Sequence, residues 1–246
     1  MSVAAWWSDL RVIASMMRGL PSQGSASSQL ATFYGPQAAD YDRFRERLLH
    51  GRAEMIAALD LAAGQHVVEF GAGTGCNVER FRDQLEGLRQ VDLVDLCAPL
   101  LEQAQRRLGS HPAVHLHHAD ATTWQPATPA DRIYFSYALS MIPPWFAAID
   151  NAEHALADDG LIGVVDFQVA PRGGSPGGFR QGRLSRHLWP LWFDHDGVRL
   201  SADLLPYLCH RFEPVRVEEH LGAVPWMAGL RVPYFVFVGR KRRVEP

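Results

Sequence analysis

Glu69-Phe70-Gly71-Ala72-Gly73-Thr74-Gly75 sets an acid and three alternate glycines directly after the apolar run His66-Val67-Val68. Glycine accepts the positive φ values of a sharp turn, and without a Cβ it lets backbone N–H groups approach a ligand. The stretch therefore reads as the end of a buried strand turning into a helix, with a small molecule carrying a polar tail lying across it. A purely structural turn is the alternative. Dinucleotide folds space their glycines G-x-G-x-x-G, so that the third packs helix on strand and the pyrophosphate meets the helix N-terminus. Here the spacing is Gly71-x-Gly73-x-Gly75, which ranks a dinucleotide lower. Asp95 ends the run Val91-Asp92-Leu93-Val94 about 20 residues further on, at the tip of a second strand, where an acid accepts from ribose hydroxyls.

The scaffold for such a turn is bounded by composition. With 246 residues and 47% hydrophobic content, the chain can bury one sizeable α/β core with appended helices. We divide it into an N-terminal helical cap, residues 1–62, and a Rossmann-like domain, residues 63–246, forming one compact unit. A net charge of −3 lacks the basic excess of a general nucleic-acid binder. Cys76, Cys97 and Cys209 fit neither a disulfide framework nor a zinc site, and read as buried, inert thiols in a reducing compartment. No apolar stretch approaches the roughly 18 residues that span a bilayer, and no signal-peptide pattern precedes a cleavage site, so a soluble, cytoplasmic protein is expected.

The periodicity then places the elements. Trp6, Leu10, Ile13 and Met17 fall at helical spacing within Ala5–Arg18, an apolar stripe covered either by the protein's own core or by a membrane surface or partner. Pro21–Ser28 is a linker, and Pro36 can open a helix. Met55, Ile56 and Leu59 continue a helical pattern into the first strand. Asn77–Leu85 reads as the crossover helix, Val91–Asp95 as strand two, Pro99–Leu108 as a helix and Ala113–His117 as strand three. Arg132–Ser136 is strand four, Trp145–Ala157 a helix closed by Gly160, and Leu161–Phe167 strand five. Leu184–Phe193 and Ser201–Arg211 look helical, the latter with a serine N-cap. Pro214–Leu221 and Val232–Val238 read as a closing pair of strands, before a basic tail of Lys241, Arg242 and Arg243.

Further candidate residues follow from this order. Tyr34, Tyr41, Arg45 and Arg52 lie just upstream of the turn, where a guanidinium such as Arg45 or Arg52 would suit a ligand carboxylate because its fork pairs two oxygens. Solvated helix faces account for most of the other arginines. The hydroxyls of Ser136, Tyr137 and Ser140 stand at the carboxyl end of strand four, the edge where open α/β sheets bind ligands. Arg172, Arg180, Arg183 and Arg186 could hold an anionic group. Gly173-Gly174-Ser175-Pro176-Gly177 formally matches the G-x-S-x-G of serine hydrolases, but Pro176 and its glycines favour a loop over a strained nucleophile elbow. Neither Asp194-His195-Asp196-Gly197 nor His115, His117 and His118 completes a metal shell, so no metal is expected.

The acid–glycine pattern resembles the first motif of class I S-adenosylmethionine-dependent methyltransferases, whose loop wraps the amino-acid end of the cofactor. That resemblance implies a mostly parallel sheet of seven strands, one antiparallel, flanked by helices, and gives Asp120 in Ala119-Asp120-Ala121 to the adenine amino group; a surface aspartate is the alternative. It implies a cofactor site of Tyr34, Tyr41, Arg45, Arg52, Glu69, Gly71, Ala72, Gly73, Gly75, Asn77, Asp95, Leu96, Asp120, Ala121 and Ser136, with S-adenosylhomocysteine as product.

More narrowly, the chain resembles the BtaB-type N-methyltransferases of betaine-lipid synthesis and the matching domain of betaine lipid synthases. The residues concerned are Phe33-Tyr34-Gly35-Pro36-Gln37-Ala38-Ala39-Asp40-Tyr41-Asp42 with Arg45 and Leu48-Leu49-His50-Gly51-Arg52, Val94-Asp95-Leu96-Cys97-Ala98-Pro99-Leu100-Leu101, Phe135–Pro143, Trp192–Leu200 and Val232-Pro233-Tyr234. This resemblance implies trimethylation of the amine of diacylglyceryl homoserine at the inner face of the membrane, beside an enzyme that supplies that lipid; the alternatives are a methyltransferase for another lipid amine or small metabolite, or a cofactor-binding partner protein without turnover. Tyr34 and Tyr137 would position the amine by cation–π contact. Ser140, Arg172 and Arg180 would meet the rest of the substrate, and Trp6 and Trp7 would suit a membrane interface.

Overall fold

The computed structural model describes Ser28, Thr32 and residues 46–194, 197–225 and 229–242. The Ala5–Arg18 segment, the Pro36 helix start, Tyr34, Tyr41 and Arg45, and His195 and Asp196 of the acidic turn lie outside the described residues.

The described chain runs α1 (Arg52–Ala58), β1 (His66–Phe70), a 3-10 segment Cys76–Phe81, α2 (Arg82–Leu85), β2 (Gln90–Asp95), α3 (Ala98–Leu108), β3 (Val114–His118) and β4 (Ala130–Ser136). A 3-10 turn Leu139–Met141 leads to α4 (Trp145–Ala155), β5 (Leu156–Phe167), α5 (Arg183–Asp194), α6 (Leu204–Arg211), β6 (Phe212–Ala223) and β7 (Arg231–Lys241). One seven-stranded sheet has the order β3-β2-β1-β4-β5-β7-β6. Strands β1 to β5 pair in parallel, and β7 lies antiparallel to both of its neighbours. This is the sheet expected from the sequence.

Central parallel strands are covered on both faces and so carry continuous apolar runs. All five residues of β1 are buried. Val67 faces a cluster with Met55, Leu59, Val91, Leu93 and Trp189, while Val68 and Phe70 face Ile133, Phe135, Ile149, Val164 and Leu208. Helices α1 and α5 thus cover one face, and α4 and α6 the other. Gly163 on β5 lets α1 approach closely: a Cβ there would stand 2.7 Å from the Met55 sulfur.

Three boundaries differ from the periodicity. The expected Asn77–Leu85 helix is a 3-10 segment followed by one short α-turn, because the chain leaves the left-handed Gly75 directly into tight i→i+3 bonds. The helix after Pro144 stops at Leu156, whose extended backbone pairs with Ala130, so Gly160 lies inside β5 rather than closing the helix. The helix expected from Ser201 begins at Leu204, with Asp203 at its N-cap position and no side-chain cap. Ser201 Oγ instead accepts from the Asp203 N–H at 3.1 Å.

Asp92 ties three strands across the sheet. Its side chain is 1% exposed and lies 2.6 Å from His66 Nε2 of β1 and 3.0 Å from His117 Nε2 of β3. Burial would raise its pKa, but the hydrogen bonds from His117, His66 and Gln90 outweigh that and hold the carboxyl below the ordinary range. The stability it contributes is therefore present above about pH 4 and is lost as pH falls through its depressed folded pKa. Asp92→Ala leaves His66 buried opposite an empty space and is expected to cost about 3 kcal/mol at neutral pH, read by urea unfolding.

Candidate active site

The turn after β1 has the backbone that the glycines foretold. Gly71, Gly73 and Gly75 adopt φ of 72°, 56° and 67°. Gly71 and Gly75 are also packed tightly: a Cβ would meet Ala138 Cβ at 2.4 Å and Leu108 Cδ1 at 2.9 Å respectively. Gly73 differs, since a Cβ there would find only Leu100 Cδ1 at 3.9 Å and would project into open space. Gly71 and Gly73 line a cavity of about 310 Å³ whose other walls include Asp95, Leu96, Cys97, Asp120, Ala121, Thr122, Tyr137, Met141 and Pro143. Its location at the carboxyl ends of β1, β2 and β4 is the ligand edge of an open α/β sheet.

Beneath the turn lies a buried polar chain. Glu69 is fully buried, with Oε1 accepting from Asn77 Nδ2 at 2.7 Å and Oε2 from the Tyr134 hydroxyl at 2.8 Å. Burial pushes its pKa up to about 7, against those hydrogen bonds, which favour the charged form. Arg52, 3% exposed, reaches Asn77 Oδ1 at 3.5 Å and pairs with Glu46 at 2.5 Å. Glu69, Asn77 and Arg52 thus brace the turn from below.

The acids expected to meet a nucleoside stand at the cavity. Asp95 accepts from the Gly73 N–H through Oδ2 and from the Cys97 N–H through Oδ1, both at 2.7 Å. A carboxylate oxygen accepts more than one hydrogen bond, so ribose contact is compatible with this clamp. Asp120 is exposed and uses Oδ1 to accept from the Thr122 N–H at 2.8 Å and hydroxyl at 2.7 Å. The opposite wall follows β4, where Tyr137 holds φ 54°, an uncommon value for a residue with a side chain.

Several hydroxyls expected to face a substrate are occupied otherwise. Tyr137 donates to the His50 carbonyl at 2.8 Å, so the cavity receives the residue without a free phenol. Ser140 is buried and held by Asp166, whose Oδ2 accepts its backbone N–H at 3.0 Å. Ser136 Oγ is buried without a hydrogen-bond partner and does not line the cavity. Arg172 lies in a separate hollow beside α5, and Arg180 in the loop before it. Gly173–Gly177 belongs to an irregular loop, which removes the setting of a nucleophile elbow.

Asp166 escaped the sequence reading. It is fully buried at the end of β5, accepts from backbone N–H groups of Ser140 and Phe167, and burial pushes its pKa up to about 6 against those bonds. Its only signal was an acid near the end of an otherwise apolar run, Leu161–Phe167. Among the described residues no cluster of three or more His, Cys, Asp or Glu side chains is arranged to hold a metal. The thiols form no disulfide, and only Cys97 is buried; Cys76 and Cys209 are partly exposed.

Residues 67–160 match the family model described as a methyltransferase domain. Trans-aconitate 2-methyltransferase of Paracidovorax citrulli is 30% identical over 126 residues, 50% of this chain and 47% of that protein. The Rhizobium etli protein of the same name is 24% identical over 163 residues, 66% of this chain and 61% of its own length. The chain thus spans about half to three-fifths of the curated relatives it matches. Among solved structures, the N-methyltransferase NodS of Bradyrhizobium japonicum, bound to S-adenosylhomocysteine, superposes with TM-score 0.64 at 14% identity over 89% of this chain and 100% of that one. Haemonchus contortus phosphoethanolamine N-methyltransferase 2 gives TM-score 0.69 at 12% identity over 91% of this chain and 61% of that one. The matched segment is thus similar in sequence to a methyltransferase domain, and the whole described sheet shares the fold of these methyltransferase structures.

Glu69 supplies a test of the buried chain. Its folded pKa stands above its unfolded value near 4.5, so its stabilising contribution is largest below that pH and is lost as pH rises to about 7. Against Glu69→Gln, the wild type should lose up to about 3 kcal/mol of relative stability across that window, measured by urea unfolding at stepped pH. Parallel profiles would count against a strained buried carboxylate.

Proposed function

We propose that this chain uses S-adenosylmethionine to methylate an amine, and that the amine is that of diacylglyceryl homoserine, taken through three methyl transfers to a betaine headgroup. The observation that carries the cofactor is the cavity at the sheet's carboxyl edge, with the open face of Gly73 at one end and Asp95 and Asp120 along it. The donor set fits: carboxylates suit ribose hydroxyls and an adenine amino group, and no phosphate-binding cluster of N–H groups and cations is needed. When bound, the cofactor supplies an electrophilic methyl on sulfur. The chain's own residues then align, desolvate and hold. The apolar wall of Leu100, Met141, Ile142 and Pro143 excludes water, which favours the neutral, nucleophilic amine.

A run of buried rings leads from the cavity wall into the core. Tyr137 packs edge-on to Phe167 at 4.6 Å between centroids, and Phe167 stacks on Phe193 at 4.5 Å. Aromatic faces keep hold of a cation after its N–H donors have become methyls. Tyr137 contributes its ring here, in keeping with its tied hydroxyl. Residues 1–62 would serve as the cap, bringing Tyr34, Tyr41 and Arg45 to the cofactor, with Arg52 acting through the turn.

The lipid assignment rests on the sequence resemblance at Phe33–Arg52, Val94–Leu101, Phe135–Pro143, Trp192–Leu200 and Val232–Tyr234. A second reading, methyl esterification of a small tricarboxylate, is favoured by the trans-aconitate relatives. The two separate by product. Incubation with methyl-labelled cofactor and diacylglyceryl homoserine should give mono-, di- and trimethylated lipid by mass spectrometry. An alkali-labile methyl ester of trans-aconitate, with no lipid product, would sink the amine reading.

Gly73→Ala tests the cofactor site itself. Its backbone strain should cost about 1 kcal/mol of stability, whereas calorimetry should show S-adenosylhomocysteine binding weakened about tenfold or more as the methyl fills cofactor space. Unchanged affinity would place the ligand elsewhere.

A further inference from the structure

Helix α5 carries two opposed faces that the methyl-transfer site does not explain. Trp189 and Phe193, one turn apart, are 2% and 3% exposed and fix the helix to the body through Phe167. On the other side Leu184 and Leu191 are 83% and 79% exposed, and Leu188 and Trp192 are 37% and 48% exposed. At 100° per residue these four side chains share one arc of roughly 100°, the width of an apolar helix face. Scattered exposed apolar side chains need no explanation, but three leucines and a tryptophan in register on one helix mark a contact surface.

The flank of that arc is basic. Arg172, Arg183, Arg186 and His187 line a hollow of about 530 Å³ at the start of α5. Gln181, buried beneath it, accepts from the Ala170 N–H at 2.9 Å and donates to Ser185 Oγ at 3.0 Å, pinning the loop to the helix. Arg186 donates to the Pro171 carbonyl at 3.2 Å, and among the described residues none of the three arginines pairs with a carboxylate. An apolar stripe beside unpaired cations is the surface of a helix lying in the interface of an anionic bilayer.

We infer that α5 docks this protein on an anionic phospholipid surface, with Leu184, Leu188, Leu191 and Trp192 entering the acyl boundary and the arginines meeting lipid phosphates. A second copy of the chain is the competing occupant, and the basic flank, which matches lipid phosphates, favours the bilayer over it. The docking deepens the lipid-acceptor reading and is consistent with it. The inner face of α5 packs through Phe193 and Phe167 onto Tyr137 of the cavity wall, so the docking helix and the cavity belong to one packed unit.

The experiment uses the full chain and reads binding separately from methyl transfer. Sedimentation with phosphatidylcholine vesicles containing phosphatidylglycerol should capture the protein, weakening with added salt, while pure phosphatidylcholine captures far less. Leu184→Glu/Leu191→Glu, both at exposed positions, should weaken capture about tenfold or more without changing the melting temperature or S-adenosylhomocysteine affinity. Arg183→Gln/His187→Gln should weaken it and flatten its salt dependence. Vesicles should also shift tryptophan emission to the blue, and Trp192→Phe should remove most of that shift. The inference is overturned by capture that the Leu pair leaves intact, or by no capture at all. It is equally overturned if the Leu pair lowers the melting temperature, since the chain's own residues would then cover the stripe, or abolishes a dimer seen by light scattering. Vesicle capture with no methylated lipid would leave the docking standing and remove the acceptor.

Discussion

A carboxylate sealed under the glycine turn governs the ligand edge of this protein. Glu69 lies one residue from the end of β1 inside the core, where an ionised acid survives only with its lone pairs used. Its two oxygens take up Asn77, from the segment after the turn, and Tyr134, from the neighbouring strand β4. Arg52 adds a positive charge from α1 and ties the same Asn77 to Glu46. Three parts of the chain thus converge on one group, and the path of the turn between β1 and the 3-10 segment is set from beneath. The residues that line the cavity are then free to be small: Gly71 and Gly73 contribute backbone, while the polar work of holding the loop is done out of sight.

A second buried acid performs the corresponding task on the opposite wall. Asp166 accepts N–H groups from the segment after β4 and from its own strand, which anchors the 3-10 turn Leu139–Met141. The strained φ of Tyr137 sits between that anchor and the hydrogen bond to His50. Strain of this kind persists only where the surroundings over-determine it. Both walls of the cavity are therefore held by buried acids, an arrangement suited to aligning a nucleophile with a methyl group over fractions of an ångström.

The sheet and the glycine turn were legible in the sequence because their signals are local. Apolar runs of strand length, alternate glycines and an acid about 20 residues on need no tertiary information. Errors came where a non-local partner decided the outcome. Leu156 left its helix because Ala130 offered a strand to pair with, the Tyr137 hydroxyl turned inward because the His50 carbonyl was there to receive it, and Ser140 is drawn into the core by its backbone N–H to Asp166. A hydroxyl at a strand end looks the same in sequence whether it faces a substrate or a neighbouring backbone. Arg52 illustrates the point from the other side: its position upstream of the turn was read correctly, but its guanidinium serves Asn77 and Glu46 under the loop.

Net charge says less than the distribution of charge. A balance of −3 argues against a polyanion-binding protein as a whole, yet Arg172, Arg180, Arg183 and Arg186 fall within a single loop and helix start. Their acidic counterparts are spread elsewhere, so the average cancels a local field that the folded molecule keeps. What converts those arginines from solvated loop charges into a surface is the pair Trp189 and Phe193, which fixes α5 so that its leucines and its cations emerge side by side. Composition sums charges over the chain, whereas a membrane or a substrate meets only the few that one buried helix face has oriented.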